Sequence, residues 1–216
     1  MKALLSFMIV CLVCINASAQ KIYSTPVYVG IDVVKGIPSY VFPEKYFIRK
    51  TLVIEPYVRF NRQKPGKSIL ISAGFAKGRS KIDPSRQVSS QQFQGVYIKM
   101  AFEASNRRIP ISGGVGPMFS ISGFKSNYQF KGPTFGDYTG SFHEKESLAF
   151  GAEGYAAYDL KLNKKLSLRF LIRNAIAIRP GDMPPPDYYP GIGYTKDMSQ
   201  LLFSGGFSTQ LFFRCK

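Results

Sequence analysis

The stretch ISGGVGPMFSISGF, residues 111–124, admits two readings, and the choice between them decides the fold. Gly113, Gly114 and Gly116 crowd together as in a loop that cradles a phosphate. The same residues also alternate, with Ile111, Val115, Phe119 and Ile121 at odd positions and Ser112, Gly114, Gly116, Ser120 and Ser122 at even ones. A phosphate loop needs a strand before it, a helix after it and a Lys or Asp at a set distance. Here Gly116 is followed by Pro117 and more alternation, with no helical pattern. Period two therefore prevails, and the stretch reads as a β-strand with one apolar and one small, polar face.

The same period recurs along the chain. It predicts eight strands, at 27–34, 52–60, 68–76, 93–104, 111–124, 148–162, 166–178 and 201–214. The best helical competitor is 42–50, where Pro43 and Glu44 can open a short turn. The faces are one-sided. In the fourth strand Val96, Ile98, Met100 and Phe102 oppose Tyr97, Lys99, Ala101 and Glu103, and in the seventh Leu166, Leu168, Phe170 and Ile172 oppose Ser167, Arg169, Leu171 and Arg173. The connectors alternate long and short: 35–51, 61–67, 77–92, SNRRIP (105–110), 125–147, NKK (163–165) and 179–200. An even strand count with that rhythm predicts an all-β fold, an eight-stranded antiparallel up-and-down transmembrane β-barrel with tight turns at one end and long loops at the other.

Periodicity does not say which face points outward, but residue size and charge do. Gly114, Gly116, Ser120, Ser122, Gly151, Ala157, Ser204, Gly206 and Ser208 share the polar face. Exposed strands disfavour glycine, whereas the narrow interior of eight strands needs small residues. Glu55, Arg59, Lys99, Glu103, Glu153, Arg169 and Arg173 fall on that face with balanced signs, so they are expected to pair as a polar network in the lumen. The opposite face lacks charge, as a lipid-facing surface must. Pro56 and Pro117 lie within predicted strands, each deleting a ladder donor, and are expected to sit at bulges. Trp is absent, so an interfacial belt would consist of Tyr and Phe, with Tyr158, Phe124 and Phe60 as candidates.

The ends add a compartment. MKALLSFMIVCLVCINASAQ has a basic start at Lys2, an apolar run to Ile15 and Ala17-Ser18-Ala19 as a cleavage site, the pattern of a Sec-type signal peptide at 1–19. Residues 20–216 then form a single domain. Cys11 and Cys14 leave with the signal, and Cys215 alone provides neither an intramolecular disulfide nor a cysteine metal site. The formal net charge of +16 would suggest nucleic acid, but export and the scatter of the charge argue against it and favour anionic headgroups or polysaccharide.

With GIDVVKGIPSYVFPEKYFIRKTLVIEPYVRF (30–60) and PPPDYYPGIGYTKDMSQLLFSGGFSTQLFF (184–213), the chain resembles the small outer-membrane β-barrel proteins of Bacteroidota, families of unknown function. The resemblance covers nearly all of 20–216 and implies assembly by the outer-membrane insertion machinery, with no catalytic residues. The ending Arg214-Cys215-Lys216 departs from the terminal aromatic usual in such barrels.

The functional expectation is a structural, adhesive or loop-binding role in the outer membrane, with no open pore, no cofactor and no metal. Lys35, Lys45, Arg49, Lys50, Lys77, Arg79, Lys81 and Arg86 are candidate loop contacts to lipopolysaccharide phosphates, and a surface protein or glycan is the other candidate partner. The last loop, rich in Pro and Tyr, reads as a rigid recognition surface or as a loop merely stiffened by proline. Two alternatives stand beside this. One is a lipid A-modifying hydrolase or acyltransferase using His143 with Ser141 or Ser147 and Glu144 or Glu146, although no spacing there sets a nucleophile against a base. The other is a soluble lipocalin-like periplasmic barrel that buries its apolar face around a ligand.

Overall fold

The computed structural model describes residues 26–35, 48–62, 64–80, 88–106, 108–130, 136, 138–181, 188–195 and 200–215. The expected signal segment, Lys45, Lys81 and Arg86 lie outside these residues, as does all of 42–50 except its last three positions. The side chains of Arg49 and Lys50 also lie outside them.

In chain order the strands are β1 (Val27–Asp32), β2 (Ile48–Ile54), β3 (Pro56–Asn61), β4 (Lys67–Ser80), β5 (Val88–Ser105), β6 (Ile111–Phe130), β7 (Tyr138–Lys161), β8 (Leu166–Ile178), β9 (Tyr188–Tyr189), β10 (Gly193–Tyr194) and β11 (Leu201–Arg214). No helix occurs among the described residues. β2 and β3 are halves of one strand broken at Glu55, and both pair with β4. From there each strand pairs antiparallel with the next in sequence, β4 through β8, and β8 with β11. β1 pairs with β11 on one side and β3 on the other, so the antiparallel sheet closes in a ring of eight strands. The short turns gather at one end of the ring with Val27 and Arg214, and the long connectors at the other. β9 and β10 form a separate small ribbon.

The apolar face points out of the ring. Ile98, Phe102, Val115, Ile172 and Phe207 are 50–67% exposed, while Tyr97, Lys99, Ala101 and Glu103 from the alternate positions of β5 are buried inside. Across positions 69–75, 94–104, 111–123, 148–160, 166–178 and 201–213 no Asp, Glu, Lys or Arg occupies an outward position. Phe124 corrects the expected belt: it shares the parity of Ser120 and Ser122, points inward and is buried. Tyr158 does face outward.

The seventh and eighth predicted strands match β8 and β11 end to end. The ladders of β4, β5, β6 and β7 run further toward the long-connector end than the alternation does. Backbone hydrogen bonds continue there through polar pairs such as Gln91 with Ser126 and Asn127 with Ser141, where no apolar side signals the period. Lys77 and Arg79 consequently lie in β4, exposed, and not in a loop.

Neither proline makes the expected bulge. Register is unchanged across Pro56, from Ile54 opposite Phe75 to Tyr57 opposite Ser72. It is equally unchanged across Pro117, from Lys99 opposite Met118 to Phe102 opposite Val115. The ladder simply skips the pairs at the missing donors, while Pro117 stays in register with Ala152 of β7. The bulges fall elsewhere, between Arg49 and Leu52, Val88 and Ser90, and Ser122 and Phe124. The three glycines of the opening stretch have separate reasons. A side chain at Gly114 would meet the Tyr155 ring, and one at Gly116 the Met100 carbonyl, whereas Gly113 has only the Tyr155 carbonyl at 3.5 Å. Gly116→Val is therefore expected to lower stability by about 1–3 kcal/mol and Gly113→Val by less than about 0.5 kcal/mol, measured by denaturant unfolding of the refolded protein.

Candidate functional site: a charge network inside the ring

All seven polar residues expected in the lumen are inside the ring. Every second residue of a strand faces inward, so carboxylates and bases from neighbouring strands meet across a narrow space. Two connected clusters result.

Toward the short-turn end the centre is Arg169 of β8, with 0% side-chain exposure. Its Nη1 donates to Glu103 Oε1 of β5 at 2.5 Å, its Nε to Asp159 Oδ1 of β7 at 2.6 Å and its Nη2 to Asp159 Oδ2 at 3.1 Å. Glu103 also pairs with Arg59 Nε at 2.7 Å and accepts hydroxyl hydrogen bonds from Ser68 and Tyr155, each at 2.6 Å. The guanidinium lies 5.3 Å from the Phe212 ring centre, which closes its remaining side with a π-face. Arg169 Nη2 also donates to Ser112 Oγ of β6 at 3.4 Å, so seven elements, β3 to β8 and β11, contribute to this cluster.

Nearer the long connectors, Glu55 sits at the break between β2 and β3. It accepts from Tyr97 Oη at 2.7 Å and Ser72 Oγ at 3.3 Å, lies 3.5 Å from Lys99 Nζ and pairs with Lys35. Lys99 Nζ bonds Glu153 at 2.7 Å, which also receives Arg173 Nη1 at 2.8 Å. Asp32, buried at the end of β1, accepts from Ser208 and from the backbone N–H groups of Val34 and Lys35 at 3.1 and 3.0 Å. Asp32, Glu55, Glu103, Glu153 and Asp159 thus face Lys35, Arg59, Lys99, Arg169 and Arg173, five of each sign. A buried ion is tolerable when paired and hydrogen-bonded; nine of the ten lie in ion pairs, and Asp32 is held by its hydrogen bonds.

Three participants escaped the sequence reading. Lys35 is the clearest correction: expected to touch headgroups from an outer loop, it is buried and paired with Glu55. The turn held by Asp32 folds the chain over the ring mouth and directs the lysine inward. Asp32 and Asp159 carried the right parity, but each sits near a strand end, where a carboxylate reads as loop polarity.

The last loop is a second correction. Residues 188–195 are not a surface held out to partners; the ribbon β9–β10 folds into the ring. Tyr188, Tyr189 and Ile192 are buried. Tyr188 stacks on Phe93 at 4.7 Å and Tyr189 packs on Phe124 at 5.2 Å. Ser120 Oγ donates to the Pro190 carbonyl at 2.8 Å. Gly191 and Gly193 take φ of 82° and 117°, conformations open to glycine, and Gly191 lies against the Tyr97 ring. Burial pushes the Tyr189 hydroxyl up to about 12, and it donates to the Ser147 carbonyl at 2.8 Å. A cavity of about 20 Å³ lies inside the ring beside Lys99 and Glu153.

The hydrolase candidates are not assembled. Ser147 is buried and inward-facing, His143 is exposed opposite Lys125 on β6, and Glu144 pairs with Arg179 at 3.2 Å. Among the described residues no group of three or more His, Cys, Asp or Glu is placed to hold a metal. Comparison with protein-family models and with curated proteins returned no match for the chain.

Removing one partner of such a buried pair strands the other. Glu103→Gln and Arg169→Met are each expected to cost about 3–5 kcal/mol. The double variant should cost at least about 1 kcal/mol less than their sum, measured by denaturant unfolding of all four proteins.

Proposed function

We propose that this protein is an outer-membrane β-barrel whose eight strands cross the bilayer and whose role is structural, adhesive or loop-mediated binding, without an open pore. The observation that carries the reading is the inversion of the fold: apolar side chains cover the outside, and a network of carboxylates and cations joined by ion pairs occupies the inside. A water-soluble ring has the opposite need, since exposed Ile172, Val115 and Phe207 would form an apolar surface far beyond what water-soluble monomers carry. The lipocalin-like alternative requires an apolar interior and is not favoured by this one.

The signal pattern supports export, and the short-turn end with both described chain ends supports a periplasmic orientation for that end. The ion-paired interior and the inturned Tyr188, Tyr189 and Ile192 support the absence of a pore. The long connectors and the β6–β7 hairpin are then the parts that reach a lipid, glycan or protein partner. Lys77 and Arg79 remain headgroup candidates, exposed on β4 at the long-connector end; Lys35 does not.

Three outcomes follow. The protein should fractionate with outer membranes and migrate faster on a gel when unboiled, as closed membrane barrels do; recovery in the soluble periplasm would overturn the reading. Val115→Arg at mid-height is expected to cost about 2–4 kcal/mol of folding into lipid vesicles. Purified protein in planar bilayers should give no steady conductance above background.

A further inference from the structure

The short turns are cationic without a single carboxylate side chain, whereas the long connectors mix both signs. The sequence places three Lys or Arg in 61–67, two in 105–111, three in 161–166 and two in 214–216, and no Asp or Glu in any of these stretches. The long connectors, by contrast, carry acids throughout, including Glu44, Asp83, Asp137 and Asp182. Part of this charge surrounds an open vestibule of about 1070 Å³. Arg59 lies at its floor and Arg108, Lys161, Lys164, Lys165 and Arg214 around it.

The one carboxylate lining the vestibule, Asp159, is already taken by Arg169 and by Ser112 Oγ at 3.2 Å. Arg108, Lys161, Lys164 and Lys165 form no ion pair with any described residue. The interior a few residues away balances every charge, whereas this mouth leaves like charges facing one another in a concave space. Such a cleft focuses positive potential and concentrates anions.

We propose that the vestibule binds a compact, soluble anion carrying several phosphate groups. Phosphate suits the space because each group brings more than one charge and several acceptor oxygens in a small volume, so a small ligand can answer several cations at once. Asn61, Ser105 and Ser167 line the same vestibule and supply further hydrogen-bonding groups. The opening runs along the ring axis, whereas the apolar outer surface lies at right angles to it, so a bilayer headgroup meets the rim and not the cavity. The inference does not rest on the membrane reading, because the vestibule exists whatever surrounds the ring.

Inorganic tripolyphosphate is the probe, titrated calorimetrically into the full chain in a nonionic detergent at low salt. Saturable binding is expected, weakened at least about tenfold in Lys161→Gln/Lys164→Gln/Lys165→Gln. The unfolding temperature of the unaltered protein should rise with tripolyphosphate and that of the variant should not. These lysines are exposed, and an unchanged far-UV circular dichroism spectrum verifies that the variant is folded. Absence of saturable binding, or equal binding by the variant, overturns the proposal. So does binding of poly-glutamate in place of tripolyphosphate, or a requirement for phosphatidylglycerol in nanodiscs with no response to tripolyphosphate. None of these outcomes depends on whether the protein fractionates with membranes.

Discussion

A guanidinium with no exposure to solvent, Arg169, is held by Glu103 at 2.5 Å and by both oxygens of Asp159. Taking ions out of water costs several kcal/mol each, and only close geometry with full hydrogen bonding offsets it. Once that arginine is inside, its partners must come from facing strands, and the charges must balance. The five-to-five balance across both clusters meets this constraint. It also explains the small residues around the network: Ser68, Ser72 and Ser112 donate to its carboxylates, and Gly114 clears space for Tyr155, whose hydroxyl reaches Glu103.

Filling the interior with paired charge forces the apolar residues to the other side of every strand. The outer surface and the inner network are thus two expressions of one alternation, and closure of β1 on β11 leaves the ring without a free edge along the shared height. The ends are treated differently. At the long-connector end Tyr188, Tyr189 and Ile192 turn in and cover the network with aromatic and aliphatic groups. At the short-turn end, among the described residues, Arg108, Lys161, Lys164 and Lys165 line an open vestibule and form no ion pair.

Period two exposed most of the wall to sequence reading, because a single-residue shift would move a whole row of side chains to the wrong face. β8 and β11 were legible to the residue because apolar alternation persists to both ends of each. The upper reaches of β6 and β7 were not, since polar pairs such as Asn127 with Ser141 hold the ladder without marking its period. The lumen residues were legible from parity. Lys35 was not, because its position depends on a turn closed by the Asp32 carboxylate, a contact set by the fold. The inward course of 188–195 was equally hidden: Pro and Tyr specify stiffness and area, and only the neighbouring Phe93, Tyr97 and Phe124 decide on which side that area is buried. Pro117 fits without a bulge because a ladder can omit one pair when its other side stays in register.

The chain contains no Trp, so a single introduced Trp reports its own surroundings without background. Fluorescence of Ile172→Trp and Phe207→Trp, refolded into vesicles with brominated acyl chains, tests the central claim that the apolar outer face lies in lipid. Strong quenching by the brominated chains with little by aqueous acrylamide is the predicted result. Ready quenching by acrylamide at both positions, with none from the lipid, would contradict it.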